Sequence, residues 1–159
     1  YNEVLADYPA NVELLYARGM LGERIGNLAL LEKDMKEILR QEPDNATTLN
    51  ALGYTLVDRT DRIDEGHEYI KKALALRPDD AAVLDSMGWA YYRKGKLDKA
   101  LEYLNKAHAL FQDPEISMHL GEVLWAAGEH DKALETVNQA LEKTPDYVGL
   151  QELLKRITQ

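Results

Sequence analysis

Four histidines, at 67, 108, 119 and 130, are the first residues to test for chemistry, because imidazole titrates near neutrality and binds metals. No two of them stand four apart, the spacing that puts two ligands on one helical face, and there is no His-Glu-x-x-His run. His119 and His130 read as lying on opposite helices of one hairpin, where a shared metal is the sharper reading and solvated imidazoles the expected one. The chain has no Cys, so thiolate metal sites, thiol nucleophiles and disulfides are excluded. Gly19, Gly22 and Gly26 are spaced loosely like a phosphate-cradling loop, but they sit inside an apolar-periodic segment and at its end, with no Gly-Lys-Ser/Thr behind them. Gly95-Lys96 reads as a helix-ending glycine followed by a solvated lysine. Carboxylates are plentiful, yet no nucleophile–base pairing stands out. The expectation is a non-catalytic chain with no metal and no cofactor.

Charge narrows the partners. A formal net charge of −9 argues against a nucleic-acid backbone, which wants clustered Lys and Arg, and is compatible with a basic or neutral protein partner. No apolar run approaches the roughly 20 residues that span a bilayer, so direct membrane insertion is not expected.

The elements that must position any binding residues are repeats. Gly19, Gly53, Gly88 and Gly121 are spaced by 34, 35 and 33 residues, each inside an apolar helical pattern: LLYARGML, LNALGYTL, LDSMGWAYY and SMHLGEVLW. A glycine in a helix interior costs about 1 kcal/mol against alanine, so matched glycines imply close helix–helix approach. Pro9, Pro43, Pro78 and Pro145 form a second series, with Pro114 standing in for a missing member. Gly26, Gly95 and Gly128 are placed to end the first helix of a pair in the left-handed conformation. Asn11, Asp44, Asp80 and Asp113 are placed to cap the next helices.

Period and content resemble the tetratricopeptide repeat, a helix–turn–helix unit of about 34 residues. The third copy carries the pattern best, with Leu84, Gly88, Tyr91, Ala100, Leu104 and Ala107. The fourth has Leu120, Gly121, Leu124, Ala133, Val137, Ala140 and Pro145. The second puts Gly66 where a small Ala is usual and has one extra residue in DRTDRID; in the first, Leu31 and Ile38 replace small residues. The resemblance implies an all-α fold, a right-handed α-solenoid in one domain, 1–159, with units at 12–45, 46–80, 81–113 and 114–147. Residues 1–8 then read as the end of an earlier repeat in a longer array, and 147–158 as a capping helix. About nine helices and no strand are expected.

In this family the first helix of each unit lines a concave face. By helical period, the core stripe takes Leu15, Leu49, Leu52, Leu56, Leu84, Met87, Tyr91, Leu120 and Leu124. The groove stripe takes Tyr16 and Met20, with Arg24; Asn50, Tyr54 and Asp58; Asp85, Trp89, Tyr92 and Arg93; and Met118, Glu122 and Trp125. Tyr, Trp, Met and Arg are the types enriched where proteins bind proteins. Packing of Trp89 and Trp125 into the core is the competing reading for those rings. The family's clamp for chaperone tails uses Lys, Asn and Arg on this face. Here Tyr16, Met20, Asn50, Ala82 and Ser86 stand at the matching places, so that clamp is not expected.

The phrases NALGYTLVDRTDR, DDAAVLDSMGWAYYRKGKLDKALEYL and HLGEVLWAAGEHDKA are more specific. They resemble the C-terminal repeats of proteobacterial outer-membrane lipoproteins of this class that act as adaptors for a carboxy-terminal processing protease. That implies a periplasmic parent anchored through an upstream lipidated Cys; without that narrower likeness a cytoplasmic location is the alternative. The expected function is a scaffold that holds a protein or peptide segment in the groove. The alternatives are a module that self-associates, as a homodimer, through its terminal helices, and a regulatory domain of a larger enzyme.

Overall fold

Apolar residues three and four apart, bounded by side-chain caps and glycines, produce ten helices and no strand in the computed structural model, which describes residues 1–159. The count exceeds the nine expected by the short α1. The chain divides into two compact units. Tyr1–Arg77 holds α1 (Asn2–Asp7), α2 (Val12–Arg24), α3 (Leu28–Gln41), α4 (Ala46–Arg59) and α5 (Ile63–Leu76). Pro78–Gln159 holds α6 (Ala81–Arg93), α7 (Leu97–Leu110), α8 (Pro114–Ala126), α9 (His130–Lys143) and α10 (Val148–Ile157). Helices α2/α3, α4/α5, α6/α7 and α8/α9 are packed hairpins. The fold class is the expected one, all-α and built of tandem helix–turn–helix pairs.

The hairpin ends follow local chemistry. Gly26, Gly95 and Gly128 take φ of 79, 75 and 84°, and the amide after each returns to a carbonyl five residues back. The second hairpin, with its extra residue, has no such glycine. There the Thr60 hydroxyl donates to the Leu56 carbonyl and accepts from the Arg62 amide. Asn11, Asp80 and Asp113 cap α2, α6 and α8 as expected. Asp44 does not cap α4: the helix begins at Ala46, so the adjacent Asn45 is in reach and accepts from the Thr48 amide at 2.9 Å.

In the first unit, Leu5, Leu15, Leu31, Met35, Ile38, Leu52 and Leu56 form one cluster. Arg18 crosses it at the edge, donating to both Asp34 oxygens (2.8 and 2.7 Å) and to Asn2 Oδ1 (2.9 Å), so one guanidinium ties α1, α2 and α3. The Asp34 bonds hold Arg18 above its usual pKa range. In the second unit, Val137, Ala140, Leu150, Leu153 and Ile157 bury α10 against α8 and α9.

The tightest crossing is α4 on α5. A methyl added at Gly53 would lie 2.7 Å from the Gly66 carbonyl oxygen, and one at Gly66 would lie 2.6 Å from that of Gly53. Gly66, the departure from the usual Ala, is thus demanded by Gly53. Gly66→Ala should lower stability by about 1–3 kcal/mol despite its better helix propensity, because a backbone oxygen cannot yield as a side chain can. Urea denaturation of the variant checks this.

Arg62, in the α4–α5 connection, binds Glu32 through two 2.8 Å bonds and also Glu65, while Lys36 reaches Glu32 at 2.7 Å. Arg62 and then Lys36 hold the Glu32 carboxyl down at about 2. A carboxyl with a depressed folded pKa stabilises above its ordinary value and loses that contribution as pH falls through the folded one. The stability gap between wild type and Glu32→Gln should therefore be full above about pH 4.5, close between about 4.5 and 2, and narrow with salt because the pair is partly exposed. Urea midpoints across that range measure it.

Candidate protein-binding surface

The first helix of each hairpin buries one stripe and leaves a second partly open, and this offset places the candidate residues. The core stripe is as expected: Leu15, Leu49, Leu52, Leu56, Leu84, Met87, Leu120 and Leu124 are buried. Tyr91 is the exception, only half-buried and stacked 5.6 Å from Tyr103.

In the first unit, Tyr16 and Met20 on α2 and Asn50, Tyr54 and Asp58 on α4 are all half-buried. Tyr16 and Met20 lean on the hydrophobic cluster, and burial pushes the Tyr16 phenol up. Asn50 Oδ1 is buried without a hydrogen-bond partner.

In the second unit the structure corrects two positions. Asp85 and Trp89 are buried, at 5 and 7% exposure, rather than open on a surface. The cause is His119 on α8, expected to be solvated and in fact 1% exposed. Its Nδ1 lies 2.9 and 3.0 Å from the two Asp85 oxygens, and Trp89 stacks on its ring at 4.2 Å and 24°. Asp85 and His119 are 34 residues apart where the repeat is 33 residues long (Gly88 to Gly121), so His119 stands one position past Met118, the residue equivalent to Asp85. His67 is also buried rather than solvated. His119 and His130 do not converge: His130 stacks on Trp125 at 3.8 Å, and no group of three metal-binding side chains is present.

Tyr92 is half-buried and Arg93 exposed, at the open end of α6. Burial first, then Glu122, raises the Tyr92 phenol, with Arg156 and Arg93 opposing. Glu122 and Arg156 pair across α8 and α10 at 3.2 Å. Met118 and Trp125 pack against the α10 cluster, and a methyl at Gly149 would fall 2.5 Å from Met118 Sδ. Helix α10 therefore frames this surface, a role for Arg156 that the sequence pattern did not show. What remains partly open in the second unit is Tyr92, Met118, Glu122 and Trp125, with Arg93 exposed.

A carboxylate–imidazole pair can orient a general base, but here an indole covers the imidazole face and the pair is sealed from solvent. Its task is to lock α6 to α8. Asp85→Ala should destabilise by about 1–3 kcal/mol, the cost of a buried donor left unpaired, whereas Asp85→Ala in a His119→Phe background should cost less. Urea denaturation of the double-mutant cycle checks the coupling.

Comparison with known proteins agrees with this build. Tetratricopeptide-repeat sequence models match residues 44–113 and 86–148. The chain is 53% identical over 120 residues to a TPR repeat-containing protein of Pseudomonas aeruginosa, PA4667, covering 76% of this chain and 20% of that one. It is 26% identical over 122 residues to the rat mitochondrial import receptor subunit TOM70, again covering 76% of this chain and 20% of that one. It thus spans about a fifth of the length of these relatives. The solved TPR protein TTC0263 of Thermus thermophilus superposes with a TM-score of 0.86 over 99% of this chain and 86% of that one, at 23% identity, which is a likeness of fold alone. Fixed-period glycines, hairpins closed on them and these matches together place the chain in the tetratricopeptide-repeat family.

Proposed function

We propose that the chain is a non-catalytic scaffold that binds a protein segment on the partly open stripes of its first helices. The observation that carries this is the half-buried rings that each unit presents where solvated charges would ordinarily stand: Tyr16 and Tyr54 in the first unit, Tyr92 and Trp125 in the second. Such rings offer large apolar contact area with little entropy to lose. Asp58 borders the rings of the first unit, and the net charge of −9 favours a partner segment with apolar anchors and some positive charge.

The finer reading is an adaptor in the periplasm that engages a carboxy-terminal processing protease, its parent tethered to the outer membrane. Its support is the likeness carried by the three specific phrases of the second to fourth repeats. A pull-down from an envelope fraction, comparing wild type with Tyr54→Ala and Tyr92→Ala, tests both levels. Retention of a protein partner should fall about tenfold in at least one variant while melting stays nearly unchanged. Identification of the retained protein as such a protease supports the adaptor; a different protein leaves the scaffold and removes the adaptor. Unchanged retention in both variants removes the surface.

Self-association is the second reading, favoured by the exposed Val4 on α1 and Tyr1 and Tyr8 at its two ends, at 47, 55 and 64%. Sedimentation velocity over a concentration series should then show a mass that rises with concentration and reverts in Val4→Ser/Tyr8→Ser.

A further inference from the structure

Between residues 93 and 106 the charge of the chain is locally reversed. Arg93, Lys94, Lys96, Lys99 and Lys106 face only Asp98 and Glu102, in a protein of net charge −9. Helix α7 arranges part of this run. Lys99, Tyr103, Lys106 and Leu110 follow one another at four, three and four residues, a single helical face about 16 Å long. The neighbouring stripe of Ala100, Leu104 and Ala107 is the one that enters the core.

The lysines on this face are held in place. Lys99 Nζ lies 5.3 Å above the Tyr91 ring and Lys106 Nζ 5.4 Å above the Tyr103 ring, and the two rings stack at 15°. An aromatic face orients an ammonium without neutralising it, so the charge stays available to a ligand. Lys106 also meets Glu102 at 3.0 Å, but both are 56% exposed, and an ion pair that open exchanges readily. At the end of the face Leu110 and Phe111 are 55 and 61% exposed, large apolar groups in contact with water.

We propose that this face of α7 is a second docking surface, for an acidic amphipathic helix of a protein partner. Its carboxylates would meet Lys99 and Lys106, about 10 Å apart along the axis, and its apolar end would cover Leu110 and Phe111. Charge complementarity argues for the acidic segment. An anionic bilayer or a nucleic acid meets a protein that is negative overall and carries Glu102 on this same face, which disfavours both. Helix α5 supplies an internal control. Tyr69, Lys72 and Leu76 repeat the pattern 34 residues earlier, but Glu65 replaces the Lys99 position and is occupied by Arg62 at 2.8 Å.

The test is fluorescence anisotropy of the full chain with a labelled synthetic helix carrying glutamates seven residues apart and a terminal Leu-Phe pair. Saturable binding is expected, weakening from about 50 to about 300 mM salt. Lys99→Glu/Lys106→Glu should weaken it about tenfold or more, and the charge-matched Lys71→Glu/Lys72→Glu on α5 less than about twofold. Circular dichroism confirms folding, and Lys99→Gln/Lys106→Gln replaces the reversal if that variant melts early. Equal loss in both double variants, or no loss in the α7 variant, overturns the proposal. So does preferential binding to phosphatidylglycerol vesicles over the peptide.

Discussion

Every hairpin of this protein closes over a point where its two helices approach more nearly than an added methyl would allow. At Gly88 the missing side chain would strike Leu104, and at Gly121 it would strike Val137. In the second hairpin the constraint is strictest, since each glycine faces the backbone of the other. Close approach brings dispersion contacts and burial that outweigh the lost helix propensity, about 1 kcal/mol per glycine. Everything placed on the helices, core or surface, inherits its position from these crossings.

Polar groups then register the layers that apolar packing alone would let slide. Arg18 with Asp34 ties two helices of one hairpin and reaches a third through Asn2. Asp85 with His119 ties the first helices of successive hairpins, α6 and α8. A buried pair of this kind adds little net stability over an apolar filling, yet leaving either partner alone is costly, so the arrangement selects one register strongly. The same pair draws Trp89 inward and leaves Tyr92 at the edge, which decides how much aromatic surface the second unit presents. That surface sets Glu122 beside Arg93 and Arg156, whereas the outer face of α7 carries Lys99 and Lys106.

The helices, their order and the core stripe apart from Tyr91 were legible in the residues, because 3.6-residue periodicity and the turn glycines are local signals. The misplaced cap at Asp44 was an error of one residue, the usual ambiguity when two acceptors adjoin a helix start. The site was legible only in part. Tyr16, Met20, Asn50, Tyr54, Asp58, Tyr92, Met118, Glu122 and Trp125 lie partly open as their helical positions imply, and Arg93 is exposed. Asp85 and Trp89 occupy equally suitable positions, but whether a position 100° from the core stripe is covered depends on the neighbouring helix. His119 filled that space, and nothing within α6 announces it.

By itself, the sequence determined that this is an all-α protein of tandem two-helix repeats, acidic, without thiol chemistry, with aromatic residues recurring on the first helices. These follow from spacing along one chain, where each helix carries its own instructions. Only the tertiary structure decided that two of the four histidines are buried, that one of them clamps Asp85 beneath an indole, that α10 frames the second unit's open surface, and that two tyrosines of the third repeat stack under lysines. Those outcomes turn on contacts between residues many positions apart, whose distances depend on how closely the helices pack and not on where the residues fall in the repeat.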